Sequence, residues 1–282
     1  MTHVQSANMN ASIPGTSRAV RILMWVFTGA IAFSLGGIII LKIAPGVLRF
    51  FGPYFPTLVK APTWTYMALL PVIVALMYYR QLGRRRTVVL VLIGSIVGAG
   101  AELLGTTTGF PFGGYSYTDW LGPKILGHVP YFIPLSWYAM GLVCYELARR
   151  VTNSTALAIL LGATFMVLWD VSLDPAMSRA FPFWTYEEIG FFYGMPLSNW
   201  GGWFVTSAVI IAAYSRVIRG ITIRHRVAPL FFFLNCAFPF MLSLLYGLYG
   251  AAAAGAVSTG LALLIVRSQS QSHDDVATSG SE

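Results

Sequence analysis

Residues 84–102 read RRRTVVLVLIGSIVGAGAE, which is three arginines, a long apolar run and a single acid at its far end. With Leu103 and Leu104 the run approaches the roughly 20 residues that an α-helix needs to cross a bilayer. Arginines favour the cytoplasmic end of such a helix. The stretch therefore predicts a membrane span that begins inside the cell and ends outside at Glu102.

The rest of the chain repeats this pattern. Of its 282 residues, 56% are hydrophobic and 10% are charged, whereas about a quarter of a soluble domain is charged. We predict an all-α, polytopic transmembrane helix bundle with a cytoplasmic N-terminus. Only Gly250 separates the last two of eight apolar runs, so seven spans are the alternative. The predicted spans lie near residues 22–43, 64–80, 87–104, 130–148, 154–173, 201–217, 229–249 and 251–266.

The two ends of the chain differ from its apolar middle. Residues 1–17 are polar and predict a disordered N-terminal tail, and the Ser-, Gln- and Asp-rich residues 268–282 predict a disordered C-terminal tail. Residues 18–267 are predicted to form a single transmembrane catalytic domain. The first apolar run is longer than the core of a signal peptide, about 7–15 residues, so we interpret it as a retained helix.

The net charge of +8 does not indicate nucleic-acid binding, because the basic residues lie in short loops between apolar runs. With the N-terminus in the cytoplasm, 13 of the 18 Lys and Arg residues lie on the inner side. This orientation in the cell membrane predicts a cluster of acids at the extracytoplasmic face. Its members are Glu102, Asp119, Asp170, Asp174, Glu187 and Glu188.

Three of these acids are candidates for chemistry. Glu102 ends an apolar helix, and desolvation favours an uncharged acid that can donate a proton; the alternative is a helix-end side chain that reaches interfacial water. Asp170 and Asp174 share a helix face if the helix continues to Pro175. Paired carboxyls suit general acid–base catalysis. The alternative is that Asp174 caps a turn and Asp170 bonds to a neighbouring helix.

Aromatic side chains are concentrated in the two loops that carry the acids, where ring faces could line a slot for a conjugated substrate and stabilise a cation. Phe110-Pro-Phe112 with Tyr115 is repeated as Phe181-Pro-Phe183 with Tyr186, 71 positions later. Outside this cluster we expect ordinary roles. Trp203 is predicted in an interfacial aromatic belt, Glu146 in a weak helix-end ion pair and His225 in solvent.

The sequence contains no phosphate loop, dinucleotide fingerprint, His/Cys metal cluster or Ser–His–Asp pattern. We therefore predict neither a metal nor a cofactor, which leaves proton transfer, water addition, isomerisation or transport. A transporter or permease for a small solute would need ionisable groups near the middle of the bilayer. The acids of this chain are predicted at one face instead.

Three motifs carry a family resemblance: Glu102-x-x-Gly-x-Thr-Thr-Gly-Phe-Pro-Phe-Gly-x-Tyr-x-Tyr117, Trp169-Asp170-x-x-Leu-Asp-Pro-x-Met177 and Tyr193-Gly-x-Pro-Leu-x-Asn199. Over roughly residues 20–265 the chain resembles the CruF-type carotenoid 1,2-hydratases, carotenoid biosynthesis membrane proteins that include the bacterioruberin-pathway hydratases. The resemblance implies cofactor-free addition of water across the terminal C1–C2 double bond of an acyclic (ψ) carotenoid end, such as that of lycopene, γ-carotene or a C50 carotenoid.

The resemblance also implies roles for individual residues. Asp170 or Asp174 would be the acid that produces a tertiary carbocation, and Glu102 its partner or the base that positions water. A cyclase or isomerase that starts by protonation is the nearest alternative. The partners would be carotenoid, water, the lipid bilayer and other enzymes of the carotenoid pathway. The predicted substrate-binding residues are Thr108, Phe110, Phe112, Tyr115, Tyr117, Trp137, Trp169, Trp184, Tyr193 and Asn199.

Overall fold

The computed structural model describes residues 16–187 and 190–279. Glu188 and most of the predicted N-terminal tail lie outside these ranges. Eight α-helices occur in the described ranges. They are α1 (Arg18–Ile43), α2 (Leu48–Phe51), α3 (Phe55–Thr108), α4 (Phe132–Val151), α5 (Thr155–Pro175), α6 (Leu197–Val217), α7 (Ala228–Leu245) and α8 (Tyr249–Ser279).

Helix α3 contains two of the predicted spans. Its regular backbone is interrupted at Gly83, which has φ 69° and ψ 171°. A positive φ is easily adopted only by glycine, so the chain changes direction there without strain. The three arginines follow the break directly, and the apolar run that follows them leads to Glu102.

A mostly helical membrane protein is confirmed, whereas the number of spans stays a prediction. Within the described residues, four helical stretches are long and apolar enough to cross a bilayer: Arg18–Ile43, Pro45–Thr108, Thr155–Ala180 and Ala228–Leu245. Helix α8 continues to Ser279, past residue 268 at which the predicted C-terminal tail begins. No Gly or Pro occurs between residues 261 and 279 to end that helix.

Helix α4 lies at the centre of the bundle and packs against α3, α5, α6, α7 and α8. Its approach to α3 depends on Gly98, where an added Cβ would lie 2.7 Å from Cβ of Trp137. Only a residue without a side chain allows this distance. The close packing therefore places Trp137 beside the turn of α3 that ends in Glu102.

At the far end of α4, Glu146 is completely buried. Its carboxylate accepts hydrogen bonds from Arg150 (2.5 and 2.9 Å), from the Tyr78 hydroxyl (2.7 Å) and from the His225 backbone N–H (3.2 Å). The predicted helix-end ion pair does form, with Arg150. It is buried rather than weakly held in solvent, because α3 and the segment before α7 cover this end. His225 is also buried rather than solvated; burial, and then the charge of Arg150, hold its pKa below the ordinary value.

The two predicted loops meet in a short β-ribbon at the Glu102 end of α3. Strand β1 (Tyr115–Tyr117) pairs antiparallel with β4 (Trp184–Tyr186), and a second ribbon joins β2 (Lys124–Ile125) to β3 (Val129–Pro130). In the first ribbon, Tyr115 lies opposite Tyr186. Backbone hydrogen bonds thus place the tyrosines of the two repeated motifs opposite each other, although their segments are distant in sequence.

Candidate active site

A cavity of about 90 Å³ lies beneath the β1–β4 ribbon, between helices α1, α3, α4, α5, α6 and α7. Glu102, Asp170 and Asp174 all line it. Their side chains are nearly inaccessible to solvent, at 4%, 0% and 1% exposure. The structure therefore brings together the three acids that the sequence singled out, from two helices that are far apart in the chain.

Glu102 is surrounded by hydrogen-bond donors. The Tyr115 and Tyr117 hydroxyls donate to Oε2, the latter at 2.8 Å, and Trp137 Nε1 donates to Oε1 at 2.9 Å. Tyr115 and Tyr117 reach the same carboxyl because alternate residues of a strand point to one face. Donors on both oxygens suit a carboxylate acceptor. The geometry thus fits the base or partner role for Glu102 better than the donor role.

Tyr115 remains a proton donor at neutral pH. Burial raises its pKa well above the ordinary tyrosine value, and the nearby charge of Glu102 raises it further. Tyr117, its neighbour on the same strand face, has its pKa raised for the same two reasons. Two un-ionised hydroxyls therefore stay directed at Glu102 over the whole physiological pH range.

Asp174 has a similar set of donors. Trp184 Nε1 donates to Oδ1 at 2.9 Å, and the Tyr186 hydroxyl donates to Oδ2. That hydroxyl accepts a hydrogen bond from Nδ2 of Asn199 at 2.7 Å. Sequence reasoning did not select Tyr186 as a site residue, although its position as the counterpart of Tyr115 in the repeated motif was a signal for it.

Asp170 differs from the other two acids. It lies one turn before Asp174 on α5, which continues to Pro175 as the shared-face prediction requires. Its carboxyl is fully buried, yet neither oxygen has a hydrogen-bond partner in the described part of the protein. The alternative that Asp170 bonds to a neighbouring helix is not what the structure shows. A buried charge without a partner is very costly, so this geometry favours the neutral acid.

Aromatic rings form most of the remaining wall. Trp137 stacks on Trp203 with ring centroids 4.4 Å apart, and Trp169 meets Trp203 edge-on at 5.8 Å. Trp203 was predicted in an interfacial belt, and that prediction was wrong, because the side chain lines the cavity. Seven of the ten predicted substrate-binding residues also line it. They are Phe112, Tyr115, Tyr117, Trp137, Trp169, Trp184 and Asn199.

The other three predicted substrate-binding residues do not line the cavity. Thr108 is exposed and closes the end of α3, where its hydroxyl donates to the Leu104 carbonyl at 2.7 Å. Phe110 is 68% exposed. The hydroxyl of Tyr193 accepts from the Gly250 N–H at 3.0 Å, at the start of α8. All three residues belong to the sequence motifs, but this did not indicate whether their side chains line the cavity or lie outside it.

In the described ranges, no group of three or more His, Cys, Asp or Glu side chains is arranged to hold a metal ion. The polar groups of the cavity are three carboxyls, tyrosine, serine and threonine hydroxyls, indole N–H groups and one amide. Such a set can donate protons, accept protons and hold a water molecule. Its apolar and aromatic walls can hold an uncharged hydrocarbon.

The fold and the site together indicate the class of protein: a polytopic membrane protein with an aromatic cavity that contains acids. Residues 63–263 match the model of the family described as "Carotenoid biosynthesis protein", and the chain belongs to that family. The bisanhydrobacterioruberin hydratase of Haloarcula japonica is similar to it, with 32% identity over 225 residues, which are 77% of this chain and 73% of that one. No solved structure matches.

Proposed function

We propose that this protein is an integral membrane carotenoid hydratase that adds water across the terminal C1–C2 double bond of an acyclic (ψ) end group. Membership of the carotenoid biosynthesis family and the hydratase name of the Haloarcula japonica relative support the reaction class. The observation that carries the mechanism is the fully buried Asp170 carboxyl, without a hydrogen-bond partner in the described part of the chain, in the wall of an aromatic cavity.

Asp170 is the general acid in this proposal. Its proton adds to C2 of the double bond, and the electron pair of that bond becomes the new C–H bond, which leaves a tertiary cation at C1. Rings of Trp137, Trp169 and Trp203 offer π faces to this cation. Glu102 and Asp174, held as acceptors by tyrosine and tryptophan donors, supply negative charge where positive charge develops.

Asn199 is the residue that we assign to the attacking water. Its Nδ2 donates to Tyr186, whereas its buried Oδ1 has no partner among the described residues. A water molecule that donates to Oδ1 would lie in the same cavity as the acids, whose volume of about 90 Å³ exceeds the roughly 30 Å³ share of one water. The water oxygen bonds to C1 and its surplus proton passes to Asp174.

Proton exchange between the two aspartates completes the cycle. Asp170 and Asp174 lie on one face of α5, so the proton gained by Asp174 can return to Asp170. One water is consumed and one tertiary alcohol is formed, and no redox partner is needed. We further propose that this end of the bundle faces the extracytoplasmic side of the cell membrane, because the arginine-rich loops lie at the opposite ends of the helices that carry the acids.

The test is expression in a lycopene-producing bacterium grown in water labelled with oxygen-18, followed by mass spectrometry of the pigment. We expect a mass gain of one or two labelled waters, whereas a cyclase or isomerase product would gain no oxygen. Asp170→Asn should abolish the gain. Asp119→Asn is the matched control, because Asp119 lies in the β1–β2 segment with a 95% exposed side chain paired to Lys124. Normal hydration by the Asp170→Asn variant would refute the mechanism.

A further inference from the structure

A second, larger hollow adjoins the cavity. We call it the lipid-side groove, a space of about 470 Å³ between α1, α2, the first turns of α3 and α7. Residues from each of these elements define it: Gly36 and Gly37 on α1, Phe51 on α2, Leu58 on α3, and Leu242 on α7. The acids do not line this groove, so it is distinct from the cavity in which they meet.

The lipid-side groove is adjacent to the acid cavity and shares part of its wall. Four residues line both spaces: Ser34, Thr63, Phe183 and Phe238. Ser34 lies on α1 and Thr63 on α3, while Phe183 directly precedes strand β4 and Phe238 lies on α7. A rod-shaped molecule in the groove that extended past these four side chains would present its end to Asp170, Asp174 and Glu102.

The chemistry of the groove suits a hydrocarbon. Among the described residues that line it, none is charged. The Ser34 and Thr63 hydroxyls are engaged within their own helices, with the Ala30 carbonyl at 3.0 Å and the Val59 carbonyl at 2.8 Å. Two of its apolar side chains, Phe33 and Phe51, are more than half exposed. On a membrane helix such exposure marks an opening toward lipid.

We propose that the lipid-side groove binds the polyene chain of a carotenoid that enters from the bilayer, with the ψ end held in the acid cavity. This inference rests on the proposed function and adds the site that holds the non-reacting part of the substrate. A phospholipid acyl chain is the competing occupant. The adjacent acids favour the polyene, because a saturated chain end has no group that three carboxyls could recognise.

Gly37 offers a direct test. An added Cβ at Gly36 or Gly37 meets no atom within 4 Å, so a larger side chain would extend into open space of the groove without displacing the backbone. Gly29 lies on the same helix, is also open to a Cβ, and does not line the groove. Replacing any of these helical glycines improves helix propensity, which protects folding in all variants. Gly37→Phe and Gly36→Leu are the test variants, and Gly29→Phe is the matched control.

The measurement is the affinity of the full-length protein, in phospholipid nanodiscs, for all-trans lycopene. Binding is monitored by induced circular dichroism of the pigment and by quenching of tryptophan fluorescence. Displacing about two carbons from apolar contact predicts roughly tenfold weaker binding by Gly37→Phe and Gly36→Leu. Gly29→Phe should bind as the wild type does. Equal lycopene affinity in all four proteins would overturn the inference, as would a phospholipid chain that crosslinks to the groove at saturating lycopene.

Asp170→Asn separates this inference from the proposed reaction. That variant keeps every groove residue, so it should bind lycopene with wild-type affinity while forming no hydrated product. Groove-dependent binding by a wild-type protein that never hydrates the pigment would sink the proposed function and support the groove. Hydration at the wild-type rate and affinity by Gly37→Phe would leave the reaction standing and remove the groove.

Discussion

Glu102→Gln tests whether the first acid acts as a charged acceptor. The wild-type carboxyl receives the Trp137 N–H at 2.9 Å, the Tyr117 hydroxyl at 2.8 Å and the Tyr115 hydroxyl. The glutamine carbonyl can still accept from Trp137, whose N–H can only donate. The amide NH₂ then faces two hydroxyls that lose their acceptor and must turn to accept instead.

The magnitude follows from these contacts. A hydrogen bond to a charged group contributes about 1.5–3 kcal/mol, and two such bonds are lost while weaker ones partly replace them. We expect a loss of about 2–4 kcal/mol in the free energy of unfolding. For a chain of this size that corresponds to a Tm lower by roughly 4–16 °C. Hydration should slow at least about tenfold, because the carbocation loses a nearby negative charge.

Two quantities are measured: the Tm of the purified protein, monitored by tryptophan fluorescence, and the rate at which the hydrated product forms. Glu187→Gln is the matched control, because Glu187 is exposed on the same side of the bundle and directly follows strand β4. Its Tm and rate should equal those of the wild type. A Glu102→Gln protein with an unchanged Tm would show that the acid is held uncharged, which would refute its assignment as an acceptor.

Two further predictions concern the shell of the cavity. Gly98→Val should displace Trp137, whose Cβ and Cγ would lie 2.7 Å from the new Cβ. Tm should therefore fall by several degrees, and tryptophan fluorescence should change. Gly100→Val is the control and should be tolerated, because an added Cβ there meets no atom within 4 Å. Burial and the charge of Glu102 raise the pKa of Tyr115, so its contribution to stability is full below about pH 10 and lost above it, where unfolded tyrosines ionise. The fall in Tm between pH 8 and pH 11 should therefore be smaller for Tyr115→Phe, and an equal fall would contradict the buried hydroxyl.

The lengths of the apolar runs and the spacing of the acids predicted much of the architecture. Helices occupy all eight predicted segments, because a run of apolar residues long enough to cross a bilayer must satisfy its backbone hydrogen bonds within itself. The four-residue spacing of Asp170 and Asp174 likewise predicted a shared face, since the helix repeat alone decides it. The sequence showed that tyrosines and tryptophans are concentrated in the two acid-bearing loops. It did not show which carboxyl each of them donates a hydrogen bond to.

Local patterns therefore determined the helices, the membrane class and the three acids, since each depends on residues that are near one another in sequence. Tertiary packing alone decided the rest. Only the tertiary structure shows that Tyr186 donates a hydrogen bond to Asp174, that Asp170 has no partner among the described residues, and that Thr108, Phe110 and Tyr193 lie outside the cavity. Whether a side chain is hydrogen-bonded inside the bundle, buried without a partner or exposed depends on which distant helix covers it. Glu146 and Trp203 illustrate this, because the length and polarity of their own segments did not indicate the surroundings of either side chain.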